Sequence, residues 1–130
     1  MLSSVYGKIS VILPLKLQKR KNDHKRGEYM EIKAKSTDRN LLLEFNGEID
    51  HHGARSALRE LEMAMDAALP RTLVLDLGNV TFMDSSGIAL ILRAQQRMQM
   101  LDGTVRVCNI PPQARRVLDA AGIGRLVTIQ

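Results

Sequence analysis

Leu73-Val74-Leu75-Asp76-Leu77, followed after Gly78-Asn79 by Val80-Thr81-Phe82-Met83-Asp84-Ser85-Ser86-Gly87-Ile88-Ala89-Leu90, is the stretch that decides the fold of this chain. A short apolar run reads as a strand covered on both sides. An acid, two hydroxyls and a glycine then lead into an apolar pattern of helical period. The first N–H groups of a helix have no partner inside it, so Asp84 or Ser85 is expected to cap them. Two serines at such a start have two readings, as caps or as carriers of a phosphoryl group.

The same alternation continues on both sides. Residues 30–36 and 40–46 read as two short strands with turn chemistry in Thr37-Asp38-Arg39-Asn40. Residues 47–53 read as a loop opening a helix over 54–68, with Ala57, Leu58, Leu61, Ala64, Met65 and Ala68 on one face. A second helix is expected over 86–101, with Leu90, Ile91, Ala94 and Met98 as its buried stripe and Gly103 beyond its end. Residues 104–109 form a further strand, Pro111-Pro112 open a third helix reaching Ala121, and residues 126–129 make a last strand. The order ββαβαβαβ predicts an α/β domain. Its four- to five-stranded sheet should be mainly parallel, with an N-terminal antiparallel edge strand and crossover helices. Loops 47–53 and 79–87 should open at the same, carboxyl end of the sheet.

Charge divides the chain at the same place as the patterning. Residues 1–29 hold seven cations and two anions, which accounts for the whole net charge of +5, while residues 30–130 are balanced. The body therefore carries no electrostatic footprint for direct nucleic-acid binding. The run Lys16–Arg26 has no period and predicts a basic, disordered extension ahead of a domain at 30–130. Met30 stands where the pattern begins. It reads either as the physiological start or as the junction to a tail for an anionic membrane or acidic partner. Ile9–Leu15 is too short to span a membrane and is interrupted by Pro14, and it lacks the flanks of a signal peptide.

Catalytic readings fail on spacing. A nucleophile elbow needs glycines two before and two after its serine, whereas Ser86 follows Asp84 and Ser85 follows Met83. His51 and His52 with Glu48 and Asp50 are neighbours on one loop, and no third ligand has a spacing that would complete a metal site. Neither phosphate-binding glycine motif occurs. Cys108, the single cysteine, excludes an internal disulfide and reads as a small filler at a strand end. No catalytic residue, metal or cofactor is expected.

Three segments together resemble one known family: Gly47-Glu48-Ile49-Asp50-His51-His52, Leu73–Leu77, and Thr81-Phe82-Met83-Asp84-Ser85-Ser86-Gly87. They are similar to the sporulation-type anti-sigma factor antagonists, which are STAS domains. The likeness covers about residues 30–130 and runs on through Gly103-Thr104-Val105 and Ile110–Leu118. It implies a STAS-like fold and a cytoplasmic, non-enzymatic bacterial regulator. Such a regulator binds an anti-sigma factor that is also a serine kinase, releases a sigma factor, and is restored by a serine phosphatase. By position, Ser86 is the implied phosphorylation site, with Ser85 the fallback and Asp50 and Asp84 as flanking acids. Gly47, Glu48, Asp50, His51, His52, Ser85, Ser86, Gly87 and Arg93 would form the docking rim. A phosphate there is expected to project negative charge outward and leave the fold intact. The other reading is a STAS subunit of a membrane transport or lipid-trafficking complex, or of a signalling scaffold. Two features depart from the family: the basic tail, and the expected extra helix after the last strand, which would lie beyond Gln130.

Overall fold

A computed structural model describes residues 30–130, so the expectations for the basic extension lie outside the described residues. Strand β1 (Glu31–Thr37) buries Ile32 and Ala34 and exposes Lys33 and Lys35, the period of a half-covered strand. Asp38 and Arg39 both adopt positive φ, 48° and 67°, and turn the chain back into β2 (Asn40–Ile49). Two left-handed residues in a two-residue loop match the twist of an antiparallel hairpin. The Arg39 carbonyl then accepts from Arg71 N at 2.7 Å, tying the hairpin turn to the next strand.

From β2 onward the chain climbs the sheet in sequence order. Helix α1 (His51–Ala68) leads to β3 (Thr72–Met83), α2 (Ser85–Met100) to β4 (Thr104–Cys108), and α3 (Pro112–Ala121) to β5 (Thr128–Ile129). The five strands lie in the order β1-β2-β3-β4-β5, antiparallel at the first pair and parallel thereafter. Sequential order with crossovers of one hand puts the three helices of the described residues on one face. Accordingly α1 packs on β1 and β2, α2 on β3 and β4, α3 on β3, and neighbouring helices touch. The expected α/β order holds.

Among the described residues no helix covers the second face of β3, which corrects the reading of its apolar run. Leu73, Leu75 and Leu77 are buried under the helices, whereas Thr72, Val74 and Asp76 are half-exposed on the opposite side. Across that open face, Lys33, Glu44, Asp76 and Cys108 lie in one row. The next row is Lys35, Leu42, Val74 and Arg106. Lys33 and Glu44 face each other as opposite charges, whereas Glu44 and Asp76 are a like-charged pair that favours contact with water. The apolar count of the run misled because Val74 is tolerated at a half-buried site, and the alternating Asp76 was the better signal.

Element ends also move. Strands β2 and β3 run on to Ile49 and Met83, where loops were expected, because Glu48 pairs with Phe82 and Ile49 with Met83 after two register shifts. Helix α1 starts at His51 rather than at 54. The last strand shrinks to Thr128–Ile129, preceded by a 3-10 turn at Ile123–Arg125 that buries Ile123. Gly103 sits where a Cβ would come within 2.5 Å of the Arg71 carbonyl, so its place is fixed by close approach as well as by helix termination. The stripe Leu90, Ile91, Ala94 and Met98 is buried as the sequence implied, and so are Ala57, Leu61, Ala64 and Met65 of α1.

Candidate functional site

The register Ile49 opposite Met83 sets the starts of α1 and α2 side by side at the carboxyl end of the sheet. Asp50 caps α1, its Oδ1 accepting from Gly53 N at 2.7 Å. Asp84 caps α2, its Oδ1 accepting from Ser86 N at 2.8 Å while its carbonyl accepts from Gly87 N at 2.9 Å. Both acids therefore satisfy orphan helix donors, which fixes each carboxylate beside its helix start. Ser85 is exposed and Ser86 is half-buried.

Each helix start is pressed against the strand before it. A Cβ on Gly87 would lie 2.6–2.9 Å from three side-chain atoms of Met83, and one on Gly53 would collide with the Glu48 carbonyl. Glycine at these positions is thus a packing requirement that holds the two caps close to the sheet.

Beyond Asp76, β3 has no further pairing with β4, leaving the Met83 backbone without a strand partner on that side. Gln113, in the first turn of α3, fills the gap. Its Oε1 accepts from Met83 N at 2.9 Å and its Nε2 donates to Met83 O at 2.8 Å. A side-chain amide thus mimics a neighbouring strand one residue before the Asp84 cap. Sequence reasoning missed this role, because nothing local to Pro111-Pro112-Gln113 indicates which backbone the amide reaches.

Between α1 and α2 a cleft of about 200 Å³ opens beside the serines. One wall is His51, Ala54, Arg55 and Leu58; the other is Ser86, Ala89, Leu90 and Arg93. Each wall is an i, i+3, i+4, i+7 stripe, so the cleft is the seam between two parallel helix faces. The structure thus brings Ser86, His51 and Arg93 together. Gly47 and Glu48 belong to β2, His52 is exposed on α1, and Gly87 is buried against Met83. Arg93 donates to Glu62 at 3.3 Å and Arg97 pairs with Asp66, both across the seam and both partly exposed. Such pairs contribute at most about 1 kcal/mol each. Arg55 was not singled out by the sequence, since an exposed arginine on a helix reads as ordinary solubility.

Cys108 ends β4 half-buried, and burial, reinforced by the Asp76 carboxylate, pushes its thiol up from its ordinary value against the pull of Arg106. A thiol held protonated is a poor nucleophile, in keeping with a packing role. No three His, Cys, Asp or Glu side chains gather in metal-holding geometry among the described residues.

Residues 31–130 match the family model of the STAS domain. The chain belongs to the STAS domain family. Among curated relatives, this STAS domain is 32% identical over 89 residues to an anti-sigma F factor antagonist of Paenibacillus polymyxa, covering 68% of this chain and 76% of the relative. It is 27% identical over 88 residues to the protein of the same name from Lysinibacillus sphaericus, covering 68% and 75%. Solved structures show the same fold. The unphosphorylated form of the anti-sigma factor antagonist SpoIIAA superposes with a TM-score of 0.67 at 23% identity, covering 77% of this chain and 88% of that one. The phosphorylated form of the Bacillus cell fate determinant SpoIIAA gives 0.61 at 23% identity, covering 77% and 91%.

Proposed function

We propose that this STAS domain is an anti-sigma factor antagonist. It binds an anti-sigma factor that is also a serine kinase, and so frees a sigma factor in the cytoplasm. The observation that carries this reading is the 32% identity to the Paenibacillus polymyxa anti-sigma F factor antagonist over most of both chains. Phosphorylation of Ser86 switches the protein off, and a serine phosphatase restores it. The geometry supports Ser86 by its place in the first turn of α2, beside the exposed α1–α2 seam.

On this reading the chain is a substrate and a ligand, with no catalytic residue of its own. Ser86 Oγ attacks the γ-phosphorus of ATP held by the kinase; the new O–P bond forms as the bond to the ADP leaving group breaks. The hydroxyl proton passes to the kinase. The docking rim combines Gly47, Glu48, Asp50, His51 and His52 with Ser85, Ser86, Gly87 and Arg93. A phosphoryl group adds about −1.5 to −2 charges at pH 7, which alters that rim without disturbing the core.

Incubation with an anti-sigma factor kinase and ATP is expected to add one phosphate, located at Ser86 by mass spectrometry, and Ser86→Ala should remove it. Undiminished labelling of Ser86→Ala at Ser85 would transfer the site to the neighbouring serine. Absence of any complex between the unmodified protein and anti-sigma factors would defeat the reading as a whole.

A further inference from the structure

The proposed phosphate on Ser86 meets an unfavourable backbone. Asp84 already accepts from the N–H groups of Ser86 and Gly87, through its carboxylate and its carbonyl respectively. The helix start therefore has little left to donate to an added anion, and the Asp84 carboxylate beside it is repulsive. Asp50, capping the adjacent helix, adds a second negative charge on the same rim. Donors have to come from side chains.

The cleft that Ser86 lines supplies them. Of its eight lining residues, three carry donor heads of cationic type, His51, Arg55 and Arg93, and none is acidic. Arg93 is held by Glu62 two turns away from Ser86. Arg55 has no ion-pair partner among the described residues. Because the two helices start level with each other, His51 stands opposite the serines and Arg55 one turn further along. Helical side chains lean toward the helix N-terminus, which carries the Arg55 guanidinium back toward the level of Ser86. The cleft volume of about 200 Å³ is several times the roughly 30 Å³ share of one water, so a phosphoryl group fits.

We infer that the cleft between α1 and α2 is an intramolecular phosphate-binding site, in which Arg55, assisted by His51, holds the phosphoryl group of Ser86. This rests on the assignment of Ser86 as the modified residue. The modified side chain then turns into the seam rather than outward. The switch acts by filling and neutralising a basic cleft, so the phosphorylated rim loses Arg55 as a contact for an acidic group of the partner. A guanidinium suits the task because its planar fork can pair two phosphate oxygens at once.

The test uses the full chain with phosphoserine encoded biosynthetically at position 86, so that no kinase is required. In a phosphorus NMR titration, the second ionisation of a phosphoserine normally falls near pH 6. With Arg55 engaged it should fall about one pH unit lower in the folded protein than in the same protein in urea. The acids Asp50 and Asp84 alone would move it the opposite way. Arg55→Gln should return most of the shift, Arg55→Lys only part of it, and Arg59→Gln, exposed on α1 outside the cleft, none. A folded phosphate that titrates at or above its value in urea would overturn the site, as would an Arg55→Gln titration identical to that of the parent. Kinase labelling at a residue other than Ser86 would sink the assignment of the switch while leaving this titration unaffected. The two failures are thus distinguishable.

Discussion

The starts of α1 and α2 are two versions of one device. Asp50-His51-His52-Gly53 and Asp84-Ser85-Ser86-Gly87 each place an aspartate at the cap and a buried glycine three residues on, with two variable residues between. They differ in how the cap is spent. Asp50 Oδ1 reaches the N–H of Gly53, whereas Asp84 Oδ1 reaches that of Ser86. They differ too in what the glycine lies against, the Glu48 carbonyl in α1 and the Met83 side chain in α2. One scaffold thus yields an imidazole pair on one helix and a hydroxyl pair on the next. Only the second can be a serine kinase substrate, and the first lends it His51 across the seam.

The largest effect expected from breaking the comparison is at the glycines. Gly53→Ala drives a methyl into backbone and should lose about 3 kcal/mol in denaturant unfolding, even after the helix-propensity gain of about 0.5–1 kcal/mol. Gly87→Ala meets a flexible thioether and should cost about 1 kcal/mol less than Gly53→Ala. Equal losses would show that Met83 is as unyielding as the Glu48 carbonyl.

Gln113→Leu tests the support that Met83 receives just before the α2 cap. It leaves the Met83 N–H and carbonyl without their partner and should cost about 1–2 kcal/mol, since the pair is only partly buried. Amide hydrogen exchange should quicken at Met83 while Ile49, buried before the other cap, is unchanged. Equal protection at Met83 in parent and variant would mean that water replaces the amide at no cost.

The smallest effects belong to the caps. Asp50→Ala and Asp84→Ala should each lower stability by about 1 kcal/mol, readable as a modest drop in thermal midpoint. Asp84→Ala also frees the Ser86 N–H, so in the form phosphorylated at Ser86 its loss should shrink. Asp50→Ala removes only a more distant like charge and frees no N–H of the phosphoserine, so its loss should shrink less on phosphorylation than that of Asp84→Ala.

Much of this site could be read along the chain because its determinants are local. A cap, the residues it serves and the glycine behind them lie within four positions, and Asp84-Ser85-Ser86-Gly87 carries all of them. Helical stripes are local too, which is why Leu90, Ile91, Ala94 and Met98 were recognisable as core. Element ends were less legible. Strand β2 continues through Gly47 and Glu48 because β3 offers pairing partners there, and pairing is a property of two distant segments. The open face of the sheet was hidden for the same reason, since Val74 is compatible with either a covered or a wet surface.

The sequence by itself determined the ββαβαβαβ order, the capped start of α2, the location of basicity in residues 1–29 and the likeness to STAS anti-sigma factor antagonists. Only the tertiary structure decided that Gln113 clamps Met83 from 30 residues away, that α1, α2 and α3 share one face, and that Arg55 and Ser86 line one cleft. Local propensity and capping act over a single turn and are written in neighbouring residues. Strand register and helix seams bring together residues whose separation in sequence carries no trace of their contact.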